Sequence, residues 1–437
     1  MAKSAPLSGL AADVRPVIRS SAGALTSSQL LSRAGALAQS LPDSPAALNL
    51  CERRDNFLIG FVALLMRGQS CLLPPSRAPA VVAEVMREYP GSYVLGDSIV
   101  ARCRASVEAS PRDLPHSPPD RVVVVGYTSG TTGRPAANPK TWRSFVESAA
   151  LNSARLRETL GDEPGNALPW ILATVPPQHM YGMEMSVLMP LLGGMGVHAG
   201  HPLYPADVAA ALEELPEPRV LVTTPVHLRA LLNSGIRLPP LGAVVSATAP
   251  LSREVADAVE RRFNTTLLEF FGSTETCVIA SRRTSRESSW RSYPGVTFLP
   301  LEEGTRVNAP WFSEEVVLPD VLELQDGGNF VVRGRNADMV EVGGKRASLA
   351  DLTRRLLAVE GVSDAIVFQP DATGAEGVQR LAALVVAEGL TEADVLARLA
   401  TAMDPVFLPR RLVFVARLPR NDVGKLPRDQ LIAALRR

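Results

Sequence analysis

Val122–Val125 is a run of four valines, and Arg219–Thr223 and Ala243–Ser246 are two further short runs with consecutive apolar residues at their centres. Branching at Cβ favours extended backbone, and a strand that is apolar at successive positions has both of its faces covered. The last two runs each lead into a helical pattern, so the chain reads as α/β, with mostly parallel sheets covered by helices. The same alternation occurs earlier, where helical patterns over Asn56–Met66 and Ala80–Arg87 precede the strand-like Ser92–Leu95. Near Gly334 the pattern changes to a helix over Ser348–Ala358, strands over Ala365–Gln369 and Leu381–Ala387, and a helix over Glu392–Ala402. This predicts a large N-terminal domain over residues 1–333 and a small α+β domain over residues 334–437.

Composition narrows the class of partner. Of 437 residues 46% are hydrophobic, enough to bury more than one core. Lys plus Arg and Asp plus Glu both total 45, so no global field favours nucleic acid or an anionic membrane. The opening MAKSAPLSGLAADVRP lacks the apolar core of a secretory signal, and no run approaches 18 apolar residues, so a cytoplasmic protein without membrane insertion is expected. Cys51, Cys71, Cys103 and Cys277 form no CxxC pair and read as free thiols.

After the valine run comes Tyr127-Thr128-Ser129-Gly130-Thr131-Thr132-Gly133-Arg134-Pro135. Small hydroxyl and glycine residues after a strand let backbone N–H groups and hydroxyls wrap a polyphosphate, although taken alone such a loop is also an ordinary turn. It does not satisfy GxxxxGK[ST], and Gly343-Gly344-Lys345-Arg346 lacks both the spacing and the hydroxyl, which disfavours a kinase-type P-loop. Three further segments stand out: Phe270-Phe271-Gly272-Ser273-Thr274-Glu275; Asp320 followed by Gly334-Arg335-Asn336-Ala337-Asp338; and Leu418-Pro419-Arg420-Asn421-Asp422-Val423-Gly424-Lys425.

In this order the four segments resemble the adenylate-forming superfamily of acyl-CoA synthetases, aryl-acid ligases and adenylation domains. The resemblance implies that Thr128 to Gly133 bind the ATP phosphates, Phe271 stacks on adenine with Ala247 and Gly272 nearby, and Asp320 and Arg335 grip the ribose. It also implies that Thr274 donates toward the α-phosphate, Glu275 holds Mg²⁺, and Lys425 is the adenylation lysine. A planar base suits an apolar π-face, and Mg²⁺ suits a hard carboxylate oxygen beside phosphates. Attack of a carboxylate on the α-phosphate is an encounter of two anions, so the chemistry needs positioning and charge neutralisation. The resemblance further implies that the small domain then swings about a hinge, bringing Gly343-Gly344 and a thiol, from phosphopantetheine on a carrier protein or from CoA, to the acyl-adenylate.

Two departures leave alternatives open. Where the family has Lys-Gly after the loop proline, this chain has Ala136-Ala137-Asn138-Pro139-Lys140, so either Lys140 takes over that charge or nothing does. At the hinge position stands Ala337, with Asp338 next to it. The resemblance puts the acid pocket along Val175–Met185, Thr223–His227, Ser246–Pro250 and the residues after Glu275, with His179 as gate histidine. Met180, Met183, Met185 and Met189 offer a soft apolar wall or simply fill a helix core. Tyr181, Thr223, Ser246 and Gly272 complete the pocket, a mix that suits a compact aromatic acid with one hydroxyl.

The short large domain and the segment Lys140-Thr141-Trp142 look like the ligases of bacterial aryl-polyene and xanthomonadin-type pigment pathways. That resemblance implies a hydroxybenzoate substrate, 4-hydroxybenzoate favoured, and an acidic acyl carrier protein as partner. From Pro409 to Arg437 there are eight Arg or Lys against two Asp, which suits such a partner. The rival readings are a medium-chain or other acyl-CoA ligase and a non-catalytic nucleotide-binding homologue.

Overall fold

The computed structural model describes residues 15–103, 117–128, 136–161, 167–302, 304–335, 339–342, 345–370, 380–421, 424 and 426–436. The chain forms two compact units, the first comprising Met1–Ser288, Tyr293–Gly295 and Ala309–Glu314 and the second the remainder.

The expected strands are present in the first unit. Val122–Thr128 lies in a five-stranded sheet ordered Tyr93–Leu95, Ala46–Asn49, Ser70–Leu73, Val122–Thr128, Ala136–Thr141. The first four are parallel and the last is antiparallel, so the chain enters and leaves residues 129–135 along neighbouring strands. A second sheet runs through Cys277–Arg282, Thr266–Ser273, Ala243–Ser246, Arg219–Thr223, Trp170–Ala173, Gly196–His198, Pro16–Ser20 and Gly23–Thr26. Its six inner strands are parallel and the two flanking ones antiparallel, as the apolar runs followed by helices imply. One face carries Leu172, Leu221, Val244 and Leu267 in a single row, buried under the helices Pro205–Glu213, Pro225–Asn233 and Arg253–Phe263.

The helices follow local rules. Helix Arg54–Arg67 ends on Gly68 at φ 72°, whose N–H reaches the Leu64 and Leu65 carbonyls. Helices Trp142–Leu160, Pro225–Asn233 and Arg253–Phe263 begin on Thr141, Thr224 and Ser252, whose hydroxyls accept from backbone N–H groups.

The second unit contains the antiparallel strands Asp320–Leu324, Asn329–Arg335 and Trp290–Ser292, and a small sheet of Thr297–Leu301, Gly304–Asn308 and Val316–Leu318. It also contains the sheet Val362–Phe368, Ala382–Ala387, Arg411–Phe414. Alternation along Ala382–Ala387 sends Ala383 and Val385 to helices Leu349–Leu357 and Glu392–Ala402, and Ala382 and Leu384 to helix Arg428–Leu435. The elements expected after Gly334 are thus found within three residues of their bounds. Among the described residues, no helix is long and apolar enough to cross a membrane, and all four cysteines are free.

Candidate active site

Two residues beyond the apolar row, the same sheet face turns polar. Thr223 is paired with Ser246, Ser246 with Glu269, and Glu269 with Arg282 on successive strands. Thr174, next to them, shares a 2.8 Å hydrogen bond between its hydroxyl and that of Thr223. These residues stand at the carboxyl ends of parallel strands, where α/β sheets present their ligand sites. Glu269 is answered within the row by Arg282 at 2.7 Å and by the Thr284 hydroxyl, which donates at 2.7 Å. The Ser246 hydroxyl is fully buried and has no hydrogen-bond partner among the described residues. A buried hydroxyl in that state costs about 1–3 kcal/mol until something meets it. Ala247 follows it, buried, and Thr248 adopts φ 80°, a left-handed backbone uncommon for a non-glycine residue.

The Thr274–Glu275 segment forms the tip of a tight turn between the strands Thr266–Ser273 and Cys277–Arg282, with a bulge between Phe271 and the exposed Gly272. Polar contacts shape that turn: the Ser273 N–H donates to the Thr276 hydroxyl at 3.1 Å and the Glu275 N–H to the Ser273 hydroxyl at 3.2 Å. Phe271, Thr274 and Glu275 are each half-buried. The turn is pressed against the strand leading to the Ser/Thr/Gly loop. A Cβ on Gly126 would come within 2.8 Å of Met180 Cε and 3.0 Å of Thr274 Cγ2, so the missing side chain is what lets three sequence-distant segments meet. Thr128, half-buried, ends that strand.

Two buried charges flank the turn. The Lys140 ammonium donates to the Glu275 carbonyl oxygen. Glu184, 2% exposed, accepts from the Val278 N–H at 3.0 Å, the Ser148 hydroxyl at 2.6 Å and the Asn152 amide at 3.3 Å. Burial pushes the Glu184 carboxyl above the usual carboxylate range, against the pull of these donors and of Lys140.

His179 is half-buried and opens a helical stretch that is α-helical over Met180–Met183, π-helical over Glu184–Leu188 and α-helical again over Met189–Leu191. Gly182 is required there, because a Cβ would sit 2.0 Å from the Pro176 carbonyl oxygen. All four methionines are buried in this stretch. The Tyr181 hydroxyl donates to the Val245 carbonyl at 3.0 Å, and burial raises its pKa well above the usual phenol range. Arg54 is fully buried; it donates to the Ala173 and Val175 carbonyls at 3.0 and 3.1 Å and to the Ser186 hydroxyl. His227 Nδ1 lies 2.8 Å from the Thr174 hydroxyl, and His201 Nε2 lies 2.9 Å from the Thr174 carbonyl oxygen. Burial, with repulsion from Arg54, pushes His201 down to about 4, and burial lowers His227 too, so both rings are neutral at pH 7.

In the second unit, Asp320 is buried and directly opposite Arg335 in the ladder. Arg420 grips Asp364 with contacts of 2.8, 3.0 and 3.2 Å and donates to the Gly424 carbonyl at 3.0 Å. The expected Ser129, Gly130, Thr131, Thr132, Gly133, Ala337, Asp338, Gly343, Gly344 and Lys425 lie outside the described residues, as does the Arg335 side chain.

Sequence reasoning did not single out Glu184, Arg54 or Thr174. Glu184 is the lone Asp, Glu, Lys or Arg between Ala173 and Met195, and that isolation was the available signal.

Residues 78–336 match the family model described as AMP-binding enzyme, and residues 354–425 match that of the AMP-binding enzyme C-terminal domain. A 4-coumarate–CoA ligase of Halorhodospira halophila is 27% identical over 306 residues, covering 68% of this chain and 73% of the relative. A 4-chlorobenzoate–CoA ligase of a Pseudomonas species is 26% identical over 413 residues, covering 84% and 76%. The structure of o-succinylbenzoate CoA synthetase from Bacillus subtilis with its acyl-adenylate superposes with a TM-score of 0.78 at 18% identity, covering 95% of both chains, a likeness of fold.

Proposed function

The chain belongs to the AMP-binding enzyme family, and on that premise we propose that it adenylates a hydroxybenzoate-type acid, 4-hydroxybenzoate favoured, and passes the acyl group to the phosphopantetheine thiol of an acyl carrier protein. At the coarser level it is an AMP-forming acid–thiol ligase, in company with relatives named as CoA ligases.

The observation that carries the reading is the meeting of the Val122–Thr128 strand, Met180 beside His179, and the Thr274–Glu275 turn around Gly126. Thr128 and residues 129–133 would hold the phosphates, Phe271 with Ala247 and Gly272 the adenine, and Asp320 and Arg335 the ribose. Magnesium suits the donor: the half-buried Glu275 offers a hard carboxylate oxygen, and one carboxylate shared with substrate phosphates is how this ion is commonly bound. When bound through Glu275 it would neutralise phosphate charge during attack by the acid. Thr274 would donate to the α-phosphate and Lys425 would offset the charge developing there, while His179 closes the acid pocket. We place the hinge at residues 334–338 and the mobile lid from 334 to 437.

Support for a hydroxyl-bearing aromatic acid comes from the unpartnered Ser246 hydroxyl in the middle of the polar row, between Thr223 and Glu269. A site with a buried polar group in need of a partner discriminates for the substrate that supplies one. Support for a carrier protein over CoA is the basic tail, whose Arg410, Arg411, Arg417, Arg428 and Arg436 are exposed.

The test is acid-dependent ATP–pyrophosphate exchange with benzoate, 3- and 4-hydroxybenzoate, 4-coumarate and medium-chain acids, followed by transfer to CoA or to an acidic holo-carrier protein. Exchange greatest with a hydroxybenzoate is expected. A Lys425→Ala enzyme should bind ATP and lose exchange; unchanged exchange would remove that assignment, and no exchange with any acid would favour the non-catalytic reading.

A further inference from the structure

Lys140 and Glu184 are buried charges that the reaction as described does not use. Burying either ion costs several kcal/mol, so each must be answered locally. Each is answered in part by backbone at or just after the same turn: the ammonium by the Glu275 carbonyl, the carboxylate by the Val278 N–H three residues on. The Glu184 carboxylate is itself aimed by the helix Trp142–Leu160, from which Ser148 and Asn152, one turn apart, both donate to the same oxygen. The Tyr293 hydroxyl donates to Asn152 Oδ1 at 2.8 Å, which turns the Asn152 amide N–H group toward Glu184. Glu184 opens the π-helical segment, a local widening often found at functional sites. Lys140 belongs to the strand that leaves residues 129–135, so a single strand ties that loop to the Glu275 backbone.

From this geometry we propose that Lys140 and Glu184 are positioning residues for Glu275, holding its turn through the Glu275 carbonyl and the Val278 N–H so that its carboxylate meets the metal–nucleotide complex. The inference rests on the reading of Glu275 as the metal carboxylate. On this reading the Lys140 ammonium braces the Glu275 backbone. Outer partners of a metal-binding carboxylate act through its orientation, and their loss shows chiefly in metal dependence.

Lys140→Met, Glu184→Gln and the double variant would be compared with Glu275→Gln by calorimetric titration of ATP in graded Mg²⁺ and by the Mg²⁺ dependence of exchange. Both single variants should need about 10- to 100-fold more Mg²⁺ for half-maximal ATP binding, with KM for the acid moved by less than about threefold. If one uncompensated charge prevents folding, the double variant, which removes both, is the readable protein and should show the same shift. Wild-type Mg²⁺ dependence in folded Lys140→Met and Glu184→Gln, alongside a shifted Glu275→Gln, overturns the inference alone. Parallel losses of acid and nucleotide affinity would also overturn it, by marking a merely structural role. An unshifted Glu275→Gln overturns the metal reading and this inference with it.

Discussion

Arg420→Gln is expected to separate the two half-reactions. Arg420 joins the strand Val362–Phe368, through Asp364, to the Gly424 carbonyl, and the next residue in the chain is Lys425. The pair is largely shielded, with side-chain exposures of 19% and 24%, and it is bidentate at 2.8 and 3.2 Å. Charge-assisted bonds of this kind contribute about 1.5–3 kcal/mol. Glutamine keeps one donor and loses the fork, so about 2 kcal/mol of preference for the braced arrangement should be lost. At about 1.4 kcal/mol per factor of ten, the ratio of braced to unbraced enzyme falls about thirtyfold. Acid-dependent pyrophosphate exchange should fall by more than about twofold and by up to about that factor. Transfer of the acyl group from a supplied acyl-adenylate to thiol, which on the proposed hinge motion proceeds with Lys425 withdrawn, should stay within about twofold. Asp364→Asn should reproduce the effect, and circular dichroism should report an intact fold in both. Equal losses in the two half-reactions, or exchange within about twofold of wild type, would refute the reasoning.

Gly126→Ala should depress exchange by about tenfold or more, because its Cβ meets Met180 and Thr274 at 2.8 and 3.0 Å, and should lower stability in urea titrations by about 1–3 kcal/mol; a fully active variant would deny that this contact sets the Thr274 turn. Ser246→Ala should leave stability unchanged or raise it by up to about 1 kcal/mol, since no partner is lost, yet reduce discrimination between 4-hydroxybenzoate and benzoate, and equal discrimination in exchange assays would count against the hydroxyl reading. His201 is held neutral, with its folded pKa lowered from 6.5 to about 4. The unfolded chain therefore binds the extra proton between those values, and stability present above pH 6.5 is lost as pH falls toward 4. That difference is worth about 3 kcal/mol, and in urea titrations at pH 7.5 and 4.5 a His201→Gln protein should show a correspondingly smaller loss.

The parallel sheets were legible because a buried strand declares itself in its own residues: Arg219–Thr223 and Ala243–Ser246 were read to the residue. The motif residues Phe271, Thr274 and Glu275 could be named for a similar reason, lying within five residues of one another. Lys140 and Glu184 were not, because their roles depend on partners 135 and 94 residues away, and nothing local distinguishes Lys140 from a solvated lysine. Tyr181 shows the complementary difficulty. Sequence marks it as a polar handle, but its hydroxyl is committed to the Val245 backbone, a pairing set by how the Met180–Leu191 stretch lies on the sheet. Thr223 and Ser246 were named separately, whereas their adjacency in one row is a matter of strand register.

That row stands one pleat repeat, about 7 Å, beyond the apolar row on the same strands. A descendant of this protein could therefore change the acid it accepts by replacing Thr174, Thr223 or Ser246, while Leu172, Leu221, Val244 and Leu267 continue to hold the sheet to its helices. Diet and durability are written in alternate letters of the same short words, and selection can edit one set without touching the other.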